Sequence, residues 1–72
     1  MATANSILAV DQIGEAAGLV WAALNEQGPT SLAKLVKDVD APRDVVMQAV
    51  GWLAREDKIQ IDESRAKVVS LR

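Results

Sequence analysis

The sequence contains no histidine, cysteine or tyrosine. It therefore lacks imidazole bases, thiol nucleophiles and the usual nitrogen and sulfur ligands for a metal. Ser6, Ser31, Ser64 and Ser70 have no histidine to activate them. Three carboxylate pairs occur, Asp38 with Asp40, Glu56 with Asp57, and Asp62 with Glu63, all in stretches that read as exposed turns. Such pairs need burial before their pKa values separate enough for acid–base work. Gly14 and Gly18 fall inside a helical pattern and form no phosphate-cradling loop. These residues point to no enzyme, no metal, no cofactor and no small-molecule substrate. The groups suited to recognition are of two kinds. Arg43 and Gln48 carry the functional groups that read guanine and adenine edges, and Lys34, Lys37, Arg55, Arg65 and Lys67 can neutralise phosphates. Trp52, with Val45 and Met47, offers apolar contact instead.

The elements that must position these groups follow from periodicity. Ile13, Ala16, Ala17, Val20 and Leu24 recur at helical spacing, which predicts a first helix over residues 11–25. Asp11 is its expected N-cap, and Gly28-Pro29 ends it. Gly14 and Gly18 share one side of this helix near Trp21, and each costs roughly 1 kcal/mol against alanine there. Their spacing predicts close approach by a neighbouring element of the core, or else a partner face. Ser31 is a good N-cap for a second helix over residues 32–39, with Leu32, Leu35, Val36 and Val39 inward. Thr30, just before it, is placed to pair as a very short strand.

A third helix follows the Asp40-Ala41-Pro42 turn and ends near Glu56, with Val46, Ala49, Val50 and Leu53 as its core stripe. Trp52 and Val45 lie on one flank of it, Trp52 roughly 110° from the stripe's centre at helical periodicity. Residues 59–62 alternate apolar and polar as a half-buried strand does. Residues 63–66 read as a turn with Arg65 at its tip, and residues 67–71 as a returning strand. The order is helix, short strand, helix, turn, helix, hairpin. That is a mostly α chain with a small β-hairpin: three helices with helix-turn-helix spacing and a C-terminal wing. The expected core is Ile13, Val20, Leu24, Leu35, Val36, Val46, Val50, Leu53, Ile59, Ile61 and Val69.

Seventy-two residues hold one domain, here residues 11–72, preceded by a disordered or loosely docked tail over residues 1–10 in which Ile7 and Val10 are placed to touch the body. Half of the residues are hydrophobic, enough for a core, but chains of this size often need disulfides or a metal. Neither is on offer, so stability rests on helix packing and caps. No leader or membrane-spanning run is visible, and the lack of cysteine suits the cytoplasm. The net charge is −2, which argues weakly against nucleic acid. The charge is uneven: residues 1–42 carry Lys34 and Lys37 against five acids and are net negative, whereas residues 43–72 are net positive.

Residues 13–21 (IGEAAGLVW) and 51–59 (GWLAREDKI) resemble a bacterial family of small stand-alone winged helix-turn-helix domains. The resemblance spans nearly the whole chain from Ile13 onward. It implies the fold and no assigned activity. Asp57 departs from the glycine that winged helices commonly place at the end of the third helix. Two readings of function stay open. In the first, the third helix enters a DNA major groove, but Arg43, Asp44, Val45, Met47 and Gln48 are a thin set for reading bases. In the second, the domain contacts a protein or a second copy of itself through Trp52 with Val45 and Met47, or through the Gly14/Gly18 side of the first helix.

Overall fold

The computed structural model of the protein describes residues 9–64 and 67–72. Within them run α1 (Ala9–Gln27), β1 (Thr30–Ser31), α2 (Leu32–Asp38), α3 (Arg43–Arg55), β2 (Ile59–Asp62) and β3 (Val68–Leu71). The three strands form one antiparallel sheet in the order β1-β3-β2. This is the expected winged helix-turn-helix, with the two-residue strand at Thr30 completing the sheet.

Local chemistry explains each boundary. α1 begins two residues before its expected start, so Asp11 sits in its first turn and not at the N-cap. There its charge still suits the positive end of the helix. Ala9 and Val10, assigned to the tail by sequence, are helical, and Val10 faces solvent instead of packing on the body. The rest of that tail, Ile7 included, lies outside the described residues. At the other end Gly28 adopts φ +80° and its N–H donates to the Leu24 carbonyl, a left-handed cap that glycine takes without steric cost. The Ser31 hydroxyl accepts the Lys34 N–H at 3.2 Å, capping α2 as its sequence position predicts. Pro42 is the N-cap residue of α3, and its carbonyl takes the Val46 N–H. Asp57 leaves α3 at φ +64°. It holds the backbone angle that glycine usually supplies at this exit, one that aspartate tolerates better than most residues.

The core lies between α1 and α3 and is closed below by the sheet. It is built from Ala16, Ala17, Val20 and Leu24 of α1, Leu35 and Val39 at α2, Val46, Ala49, Val50 and Leu53 of α3, and Ile59 and Val69 of the strands. Small residues bring the two long helices close. Three expected core members are less deeply placed: Val36 and Ile61 are half-buried against the core, and Ile13 is half-buried at its margin.

The glycines of α1 correct a second expectation. Gly14 and Gly18 are exposed, and a methyl group added to either would meet nothing within 4 Å. Among the described residues, no other element packs against them. Leu53, by contrast, is 4% exposed, in the core near the end of α3. Leu53→Ala is expected to cost about 2–5 kcal/mol, read as a lowered midpoint in chemical or thermal unfolding. An unchanged midpoint would place α3 in a different register.

Candidate nucleic-acid interface

The site is assembled by the wing. β1 pairs with β3 through Thr30 opposite Val69 and Ser31 opposite Val68. The next residue, Leu32, donates its N–H to the Lys67 carbonyl at 3.0 Å. That bond satisfies one of the orphan N–H groups at the start of α2 and pins the base of the wing against the helix. Lys67 holds φ +52°, uncommon for a residue with a long side chain. Its side chain consequently joins Arg43, from the first turn of α3, in lining one groove. The apolar part of that groove is Leu32, Ala33, Val36 and Met47. Two cations separated by 24 positions in sequence thus share a recess whose described lining contains no acid.

Two of the grooves along α1 have the opposite sign, whereas the one beside Trp52 has Lys58 as its charged lining residue. Of those two, one is lined by Glu26, Asp38 and Asp40 beside Leu19 and Trp21, and the next by Glu15 and Asp40 beside Leu19, Pro42 and Val45; neither has a basic residue in its lining. The groove of Arg43 and Lys67 thus differs in sign from these two.

The other expected DNA contacts are distributed unevenly. Gln48 and Arg55 are exposed on the front of α3, along with Asp44 and Gly51. Lys37 is exposed in the last turn of α2. Lys34 is engaged by the Asp38 carboxylate one turn along α2 and by Gln27 Oε1 at 3.4 Å, so part of its charge is answered within the domain. Arg65, expected at the wing tip, lies outside the described residues.

The residues read as protein contacts do not form one patch. Trp52 lies across the groove from Gly14 and Gly18, with Ala17, Trp21, Leu53 and Lys58. Val45 is half-buried and faces the acidic groove. Met47 is on the far flank with Arg43 and Lys67. Trp21 completes the Trp52 groove and was not singled out by sequence, because no pattern within one helix reports which residue of another lies opposite.

Comparison with known proteins agrees with this architecture. Residues 8–71 match the family described as winged helix-turn-helix domain (DUF2582). The chain belongs to that family. The uncharacterized protein MJ1608 of Methanocaldococcus jannaschii is 38% identical over 50 residues, which cover 67% of this chain and 71% of the relative. The resemblance therefore extends to an archaeal protein and is not confined to bacteria. No solved structure matches the chain. Among the described residues, no helix is long and apolar enough to cross a membrane.

The turn that carries the wing has its own lock. Asp62 Oδ1 accepts the Ser64 hydroxyl at 2.6 Å and the Ser64 N–H at 2.9 Å. These bonds, the hydroxyl's first, hold the Asp62 carboxyl below the usual carboxylate value. A depressed folded-state value means that the contribution is present above the unfolded value and is lost as pH falls through the folded one. Ser64→Ala is expected to return the Asp62 titration toward the ordinary value, followed by carboxyl NMR. An Asp62 midpoint that does not move would show that the Ser64 hydroxyl is not its partner in solution.

Proposed function

We propose that this domain is a non-catalytic binding module that contacts duplex DNA through the front of α3 and the base of the wing. The observation that carries the reading is the joining of Arg43 and Lys67 in one acid-free groove, set against two grooves along α1 whose charged residues are all acids. A polyanion is drawn to the first face and repelled by the second. The family's helix-turn-helix architecture fits the same reading, since its second helix is the element that enters a major groove.

Each residue then has a role set by its chemistry. Lys67 and Arg43 sit where phosphates flank the groove. Gln48, exposed near the start of α3, presents the amide that pairs with adenine, and Met47 offers apolar contact to a thymine methyl. Arg55 reaches the backbone from the far end of the helix. Asp44 works against these groups, because its carboxylate on the same front repels phosphate. The balance gives few counterions to release, so affinity is modest and its dependence on salt shallow.

The test is a fluorescence-anisotropy titration of duplex DNA across a salt series. Lys67→Ala is expected to weaken all sequences alike and to lower the salt slope by about 1. Gln48→Ala is expected to relax sequence preference by roughly 1–3 kcal/mol at one base pair. Absence of binding at low salt by folded protein would overturn the DNA reading.

A further inference from the structure

The face of α3 opposite its core stripe is a single row. Asp44, Gln48, Gly51 and Arg55 follow one another at intervals of four, three and four residues, and all four are exposed. At helical periodicity the row is centred about 180° from Val46, Ala49, Val50 and Leu53. It therefore points straight away from the body of the domain. Arg43 and Met47, on the flank beside it, belong to the basic groove that Lys67 completes. Among the described residues, the side chains of Asp44, Gln48 and Arg55 take part in no salt bridge and no hydrogen bond. Asp44 and Gln48 are one turn apart, a spacing at which such side chains pair on a helix, yet no bond joins them.

Asp44 is the anomaly of this row. In the first turn of α3 its charge suits the helix dipole, all the more because Pro42 supplies no side-chain cap. A carboxylate one position earlier or later would give the same help from a flank. On the front it faces the polyanion, where it repels every phosphate.

We infer that Asp44 is a specificity-determining residue, whose carboxylate accepts the N4 amino group of a cytosine in the major groove. The inference rests on the DNA reading given above. Chemistry selects the base. An ionised carboxylate only accepts hydrogen bonds. On the major-groove edge guanine offers N7 and O6 and thymine offers O4, all acceptors that a carboxylate repels. Adenine sets its N6 donor beside the N7 acceptor, whereas cytosine presents the N4 donor alone. Asp44 thus lowers affinity for most sequences, and least where a cytosine meets it. A group that penalises wrong partners raises specificity while it lowers affinity. Gln48 has a donor and an acceptor on one amide and matches the adenine edge instead. Four residues advance about 6 Å along the helix, against about 3.4 Å per base step. The cytosine and the adenine are therefore within about two base pairs of each other. The target class is a duplex site that holds these two bases close together, with the flanking phosphates held by Arg43 and Lys67.

The experiment is selection from a pool of duplexes with a randomised centre, using the full chain as wild type, Asp44→Asn and Asp44→Ala. Anisotropy titrations of the selected sequences follow. The wild type is expected to select cytosine at one position near an adenine, and to bind roughly tenfold more weakly when guanine or thymine replaces that cytosine. The amide of Asp44→Asn matches adenine, so this variant is expected to move the preference at that position from cytosine to adenine. Asp44→Ala is expected to abolish the preference and to bind the unselected pool more tightly. Both variants are expected to stay folded by circular dichroism, since the side chain is exposed. A role in the helix dipole alone, or a general repulsion of phosphate, would change stability or affinity and leave the preferred bases as they were. Folded variants that select the same bases as the wild type therefore overturn the assignment and leave the DNA reading standing. A wild type that retains no duplex at low salt overturns both.

Discussion

Two residues hold the halves of this domain together. Thr30 and Ser31 pair with Val69 and Val68, and the ladder continues into the bond from the Leu32 N–H to the Lys67 carbonyl. Without that pairing the hairpin of β2 and β3 would be a lone two-stranded element, which is marginal in water. Thr30 is the buried polar residue among those described, and its hydroxyl is satisfied by the Gly28 carbonyl at 2.8 Å. One short segment thus ends α1, starts α2 and anchors the wing. A slip of one residue would turn Val69 out of the core and carry Lys67 away from Arg43, so fold and candidate site depend on the same register.

The core is made almost without large side chains. Ala16, Ala17 and Ala49 let α1 and α3 approach closely, and branched aliphatic residues fill what remains. Close packing of small groups loses little dispersion energy as long as no void is left. Both tryptophans sit on the outer edge of the helix pair. The same economy produces a smooth inner face and a rough outer one.

Most of the architecture was legible in the sequence because it rests on local signals. The stripes of α2 and α3, the Ser31 cap, the Gly28-Pro29 stop and the alternation of residues 59–62 each report a nearby physical requirement. Even the β1 strand showed, since Thr30 precedes a cap and stands apart from both helices. The start of α1 did not, because Asp11 satisfies the rules for a first-turn acid as well as those for an N-cap. Gly14 and Gly18 were misread for a different reason: a glycine row says that something has room to come close, not what comes. The joining of Arg43 with Lys67 was not legible either. It depends on strand register and on the left-handed backbone of Lys67, neither of which the composition of either segment encodes.

The difference in sign between the grooves has a consequence before any contact is made. A groove holding two cations and two others holding only carboxylates add a dipole to the molecule, and an electric field turns a dipole. Near any polyanion such a body turns its basic side forward while still diffusing, so fewer encounters are wasted on wrong orientations. The turning acts over about one Debye length, roughly 10 Å at 0.1 M salt. A net charge near zero is therefore no measure of how such a molecule meets a charged surface; the first moment of its charge distribution is the quantity that matters.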